Sequence, residues 1–308
     1  MDTAPTAPYR NLDFFARQAV EGFILGRHRS PLHGFSVEFS DYRQYNPGEP
    51  TAHIDWRLFG RTDRLYVKQF EEETNLRCQI LIDQSSSMLF PLEGHADIAS
   101  PNKLTFATYA AAILIHLLHR QHDAFGLTLF SDSINLQTPC RSNTLHRHHL
   151  IAQLDQLLAP VAPDTRPLRP TSIAPTLHLI AEQMHRRSLI AIFTDAFDST
   201  PQADLLDALR HMRHNRHEVI LFHTFHRPLE LQLNYANTPH RFIDLETGRT
   251  LRLNPASIAQ AYRQRTEQQQ ADLQRRATQY RVDYQPVDIA QGFHQVMLPF
   301  LLKRSRLH

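Results

Sequence analysis

The stretch Cys78-Gln79-Ile80-Leu81-Ile82-Asp83-Gln84-Ser85-Ser86-Ser87-Met88 decides how this chain is read. Its first half is a short apolar run without the polar alternation of a half-solvated strand, the pattern of a strand buried on both faces of a parallel sheet. It ends on a carboxylate and runs into a serine cluster. A second strand of the same kind, Leu189-Ile190-Ala191-Ile192-Phe193-Thr194, ends on Asp195. In open α/β sheets, ligands bind outside the carboxyl ends of strands, where the strand order reverses. Carboxylates and hydroxyls gathered at such an edge predict a site for a hard cation.

The spacing suits that chemistry. Magnesium takes oxygen ligands in an octahedron and usually keeps several waters. Alternate residues of Asp83-x-Ser85-x-Ser87 can point the same way and present a carboxylate and hydroxyls to one ion. A third segment, Arg169-Pro170-Thr171-Ser172-Ile173-Ala174, precedes a helical stretch and can bring the Thr171 hydroxyl to the rim. Neutral hydroxyls leave an ion electrophilic, so it can accept a further carboxylate from outside. Taken alone, Asp83 and its serines equally suit an N-cap for the following segment. Thr171 and Asp195, in the right order and on the right element types, tip the reading toward a cation site. Both serine hydroxyls are expected at an exposed sheet edge.

Asp83-x-Ser85-x-Ser87, Thr171 and Asp195 resemble the metal-ion-dependent adhesion site of von Willebrand factor A domains. The resemblance implies that Asp83, Ser85, Ser87 and Thr171 hold Mg²⁺ directly or through water, with Asp195 acting through water. The preceding segment carries Gly34-Phe35-Ser36-Val37-Glu38-Phe39, Arg43-Gln44-Tyr45-Asn46-Pro47-Gly48-Glu49, His53-Ile54-Asp55-Trp56-Arg57, Arg61-Thr62-Asp63-Arg64-Leu65-Tyr66-Val67-Lys68 and Phe70-Glu71-Glu72-Glu73-Thr74-Asn75. It is similar to the bacterial domain of unknown function 58, a von Willebrand A-like family associated with MoxR-type AAA+ ATPases. That resemblance runs roughly from Asn11 to Asp198 and implies such an ATPase as partner. The chain departs from the family at Glu49, where Asp is usual, and at Ala52, where an arginine is common.

Composition narrows the class. A length of 308 residues suits one or two domains, and an apolar fraction of 42% is ordinary for a globular protein. A formal net charge of +2 argues against nucleic acid as partner. Lysine occurs only at Lys68, Lys103 and Lys303, so arginine supplies nearly all the positive charge and its clusters are not read as phosphate sites. The cysteines, Cys78 and Cys140, are expected to be free thiols. No run has the length of a membrane span, and residues 1–10 lack a signal-peptide core, so the expected location is cytoplasmic.

The expected organisation is a disordered tail over 1–10, an N-terminal segment over 11–75 packed on the core, and a von Willebrand A-like core over 76–230. A closing part over 231–308 belongs to the same unit. Within it, helical spacing predicts a helix over Leu12–Leu25, with Phe14, Phe15, Ala19, Val20, Phe23 and Ile24 on its apolar side. From residue 77 strands alternate with helices to residue 225, which implies a mostly parallel sheet with helices on both faces. Glu246-Thr247-Gly248-Arg249 marks a hairpin, residues 255–280 a long Gln/Arg-rich helix, 282–289 a strand and 292–302 a C-terminal helix.

Other features carry less. His116, His119 and His122, and His211, His214 and His217, recur at every third position, but no His-Glu-x-x-His or Cys-x-x-Cys accompanies them. Glu71-Glu72-Glu73 reads as a solvated face. Trp56 reads as a packing anchor. No Gly-x-Ser-x-Gly elbow and no Walker loop is present, and Asp83 lacks the second aspartate of a haloacid-dehalogenase phosphatase. The sequence therefore points to a non-enzymatic, Mg²⁺-dependent interaction protein; the alternative is a metal-dependent hydrolase using the same Asp, Ser and Thr residues.

Overall fold

A computed structural model of the chain describes residues 12–25, 41–44, 56–63, 65–69, 76–92, 98–159, 173–196, 202–293 and 295–297. Its contacts divide the chain into two compact units, one made of Arg27–Asn75 and the other of Met1–Gly26 with Leu76–His308. The helix expected over Leu12–Leu25 forms, as α1, and groups with the larger unit, so the boundary falls after Gly26 rather than before residue 11.

In the smaller unit, β1 (Asp41–Gln44) pairs antiparallel with β2 (Tyr66–Gln69), Arg43 opposite Val67, and α2 spans Trp56–Thr62. Tyr45, Gly48, Glu49 and Asp55 lie outside the described residues, and of Arg43 and Trp56 only the backbone is described.

The larger unit continues with β3 (Arg77–Asp83), a 3₁₀ turn (Ser86–Leu89), α3 (Lys103–Arg120), β4 (Ala124–Phe130), β5 (Ile134–Gln137) and α4 (Thr144–Leu157). Next come α5 (Ile173–Gln183), β6 (Leu189–Thr194), α6 (Gln202–His214) and β7 (Glu218–Phe225), followed by a π-helical turn (Arg227–Leu231). The hairpin β8 (His240–Ile243) and β9 (Thr250–Leu253), α7 (Pro255–Gln279) and β10 (Asp283–Asp288) complete it. Residues 293 and 295–297 are helical; Gly292, expected as the first residue of the C-terminal helix, stands outside it with a φ of 88°, and residues 294 and 298–302 lie outside the described residues.

The six strands β10-β7-β6-β3-β4-β5 form one sheet in that order. Every neighbouring pair is parallel except β4 with the edge strand β5. This is the α/β, mostly parallel architecture that the strand–helix alternation predicts. Side chains alternate across the pleat: Cys78, Ile80 and Ile82 of β3 pack into a core with α1, α3 and α4, whereas Leu81 packs into a second core with α5, α6 and α7. Helices therefore cover both faces.

The order of the strands locates the site. The chain leaves β3 to build β4 and β5 on one side, then returns to lay β6 and β7 on the other. The carboxyl ends of β3 and β6 therefore flank the topological switch point, where helix connections diverge and leave a crevice.

Polar satisfaction inside the sheet leads to one prediction. Gln79 is buried and donates to the Thr128 hydroxyl at 2.8 Å and to the Thr138 carbonyl at 3.2 Å. A Cβ on Gly126 would stand 2.3 Å from the Gln79 amide oxygen and 2.9 Å from the Thr138 carbonyl oxygen. The second atom is backbone and cannot swing aside. Gly126→Ala is therefore expected to cost about 1–3 kcal/mol, read as a lower midpoint in urea unfolding.

Candidate functional site

Asp83 ends β3 and is wholly buried. Its Oδ1 accepts the Ser85 N–H at 2.8 Å, and its Oδ2 accepts the Thr194 hydroxyl at 2.7 Å. The second bond crosses from the neighbouring strand, where parallel register sets Ile82 beside Phe193 and so aligns the two strand ends. Thr194 Oγ1 in turn accepts the Ala196 N–H at 3.1 Å, and Ala196 has a left-handed φ of 52°. The β6 end therefore turns sharply just past Asp195.

The serines follow as expected in order but not in exposure. The Ser85 and Ser87 hydroxyls are hydrogen-bonded to each other, their oxygens 2.9 Å apart. Both residues are buried, not set at an exposed edge, with Ser85 at 0% and Ser87 at 8% exposure. The cause is the 3₁₀ turn, which folds them under the sheet edge while Met88 anchors it in the core and receives the Thr224 hydroxyl at 3.5 Å. Thr171 lies outside the described residues.

Asp195 is buried beside the end of β6, and its Oδ2 accepts the Lys103 ammonium at 2.6 Å. Lys103 donates also to Glu230 Oε1 at 2.6 Å, and Glu230 Oε2 accepts the His226 N–H at 2.6 Å. Burial alone would lower the pKa of Lys103, but the charges of Asp195 and Glu230 outweigh it and hold it above its ordinary value. The ammonium is thus charged near pH 7. Sequence reading missed Lys103 and Glu230, because they stand 92 and 127 positions from their partners. One signal was available: Lys103 is among only three lysines in an arginine-dominated chain.

Burial, then the charge of Asp195, raises the pKa of Asp83 to about 7, against the opposing hydrogen bonds from Ser85 and Thr194. His223 on β7 goes the other way, as burial lowers it to about 4 despite the nearby Asp195. The ring is therefore neutral near pH 7. Its Nε2 faces the Asp195 carbonyl at 3.0 Å and must carry the proton, so Nδ1 accepts from the Tyr284 hydroxyl at 2.7 Å. Asp195 is held by its backbone from β7 and by its side chain from α3.

Do these residues fit a hard cation? An octahedron with 2.0–2.1 Å bonds has neighbouring ligands about 2.9 Å apart, the separation of the Ser85 and Ser87 oxygens. Each Asp83 oxygen can accept more than one bond, so Asp83 can serve an ion without giving up Ser85 or Thr194. Among the described residues no three His, Cys, Asp or Glu side chains are grouped to hold a metal. An ion here would rely on Asp83, the two hydroxyls and water. Asp195 is already engaged by Lys103.

The histidine series have other partners. His116 Nε2 lies 2.8 Å from Asp13, His178 and His211 share a 2.9 Å contact between their Nδ1 atoms, and His217 is buried beside the Ser188 N–H.

Fold and site together define an α/β protein with a mostly parallel sheet and a buried carboxylate–hydroxyl cluster at its switch point. The chain belongs to the family described as "Protein of unknown function DUF58", whose model matches residues 41–276. It is similar to uncharacterized proteins of Mycobacterium tuberculosis and Mycobacterium bovis, 24% identical over 197 residues that cover 63% of this chain. The aligned part spans 58% of the length of those relatives. Similar solved structures include the conserved hypothetical protein BatB from Bacteroides thetaiotaomicron, at 16% identity and a TM-score of 0.45 over 75% of this chain and 99% of that one. The SpRpn10 VWA domain is also similar, at 14% identity and a TM-score of 0.32 over 48% of this chain and 75% of that one. Among the described residues no helix is long and apolar enough to cross a membrane.

Proposed function

We propose that the chain is a non-enzymatic, cytoplasmic protein-interaction protein whose contacts depend on Mg²⁺ or another hard divalent cation. Asp83, Ser85, Ser87 and Thr171 hold the ion, and Asp195 orients a water from the second strand end. The bound ion supplies an electrophilic centre for an acidic side chain of a partner. The observation that carries this reading is the 2.9 Å separation of the Ser85 and Ser87 hydroxyls beside a buried carboxylate that keeps lone pairs free. With Asp195 offset by Lys103, Asp83 is the main negative charge available to the ion, which then stays under-neutralised. The family resemblance adds a MoxR-type AAA+ ATPase as partner, in a chaperone-like or assembly role.

The hydrolase alternative needs a base or a nucleophile at the same edge. His223 has both ring nitrogens engaged and is neutral, and Lys103 is bound to two carboxylates. Both observations support the non-enzymatic reading.

Affinity capture of the full chain from its host, with and without EDTA, tests the proposal. Recovery of the ATPase is expected to fall more than about tenfold in chelator, a loss of 1.4 kcal/mol or more, and to return on adding excess Mg²⁺. Equal recovery in both conditions would place the contact on another surface. Turnover of phosphate esters with Mg²⁺ or Mn²⁺ would instead favour the hydrolase.

A further inference from the structure

We infer that Lys103 is a built-in competitor for the cation site, a specificity-determining residue whose ammonium holds Asp195 where a divalent ion would otherwise draw it. The inference rests on the metal reading above and adds the residue that sets the affinity.

Lys103 sits in an unfavourable place for a lysine. It is the first residue of α3, after the N-cap Asn102, where the helix dipole favours anions over cations. It is also 1% exposed, and burying an ammonium is costly unless it is well paired. Asp195 and Glu230, each at 2.6 Å, provide that pairing. A compact ammonium with three donors can serve both carboxylates in a confined space, whereas the broad planar fork of arginine suits a single bidentate partner. The choice of lysine in a chain that uses arginine for most of its positive charge fits this geometry.

The consequence is electrostatic. Asp83 ends β3 and Asp195 follows the end of the adjacent parallel strand β6, so two buried carboxylates stand at neighbouring strand ends and a divalent ion at Asp83 also attracts Asp195. The Lys103 ammonium opposes this in two ways. It repels a second cation nearby, and it already occupies Asp195 Oδ2. Glu230 gives the ammonium another partner, so Lys103 can stay paired when an ion pulls Asp195 away. The site is thereby kept weak rather than closed, and an acidic partner that adds a ligand to the ion tips the balance toward the loaded state.

The test measures Mn²⁺ binding by calorimetry and thermal melting of the full chain, with and without Mn²⁺. Wild type, Lys103→Gln and the double variant Lys103→Gln/Glu230→Gln are compared. The double variant removes one positive and one negative charge, so the formal charge around the site matches wild type and folding is less perturbed. Lys103→Gln is expected to bind Mn²⁺ at least about tenfold more tightly than wild type, as expected for removing a unit positive charge at this range in a partly buried setting. The double variant, unchanged in formal charge, is expected to bind more tightly than wild type by a smaller factor, because Asp195 Oδ2 is released from the ammonium. Their melting temperatures should also rise more with Mn²⁺ than that of wild type, because the ion restores a counter-charge to Asp195. A lysine with a purely structural role would lower stability without tightening binding. If wild type binds Mn²⁺ and the variants bind equally or more weakly, the inference is overturned while the cation site stands. If none of the three proteins binds Mn²⁺, both fail. If Lys103→Gln alone does not fold, the double variant decides.

Discussion

Asp83→Asn is expected to make the metal-free protein more stable at pH 8 while removing its affinity for divalent cations. The carboxyl of Asp83 titrates near pH 7 in the folded protein, and its ordinary value is 3.8. A group whose folded pKa is raised binds its proton more tightly in the folded state. Its favourable contribution is therefore complete below about pH 4 and is lost as the pH rises through 7. Above that window the folded protein carries a buried charge worth on the order of 4 kcal/mol of destabilisation relative to the protonated form. Asparagine matches the protonated side chain in shape. Its Oδ1 can accept the Ser85 N–H and its Nδ2 can donate to the Thr194 hydroxyl, so both bonds seen for Asp83 have a counterpart. In EDTA, the variant should exceed wild type by about 2–4 kcal/mol at pH 8, and the difference should shrink toward zero near pH 4. Urea midpoints across that range measure it. Calorimetry at pH 8 should show no Mg²⁺ or Mn²⁺ binding by the variant, since only neutral first-choice ligands remain. A variant that is less stable than wild type at pH 8 would mean that Asp83 is held as a stabilising anion. Unchanged cation affinity would remove Asp83 from the metal site. A stability gain joined to a loss of binding is the expected mark of a residue kept for function at a cost to the fold.

How much of this was legible in the sequence follows from what each feature depends on. The buried strands leading to Asp83 and Asp195 were readable because a short, mainly apolar run without alternation has few other homes, and the strand–helix alternation predicted the parallel pairing that brings the two ends together. The exposure of Ser85 and Ser87 was not readable. It depends on a 3₁₀ turn that tucks them beneath the edge, and on the contact of Met88 with Thr224 from a strand 136 residues away. The Lys103–Asp195–Glu230 network was equally hidden, since a lysine at a helix start looks solvated until tertiary structure surrounds it with carboxylates. The apolar side of α1 was read only in part. Phe14, expected on the buried side, is 51% exposed, and the buried stripe is Leu12, Phe15, Ala16 and Val20. Adjacent phenylalanines cannot share one narrow helix face, and spacing alone did not say which of the two would point inward.

Phe15→Ala is the substitution expected to cost the fold most. Phe15 is 5% exposed, and its ring meets Tyr109 of α3 edge-on at 4.9 Å and Phe293 at 5.7 Å. Phe293 lies 4.9 Å from Phe106, also on α3. One ring therefore ties the first helix to the central helix and to the C-terminal segment. Truncating a buried phenylalanine costs about 3–5 kcal/mol, through lost transfer energy and the cavity left behind. The polar contacts of α1 do not make up the difference. Asp13 receives His116 at 2.8 Å and Arg147 at 3.0 Å, but its side chain is 37% exposed, and ion pairs in such settings contribute at most about 1 kcal/mol. The melting temperature should fall by roughly 10 °C, followed by circular dichroism. Phe14→Ala, one residue away and exposed, should change stability by less than about 1 kcal/mol. If the two variants melted alike, α1 would not be docked through Phe15, and the larger unit would begin at residue 76 instead.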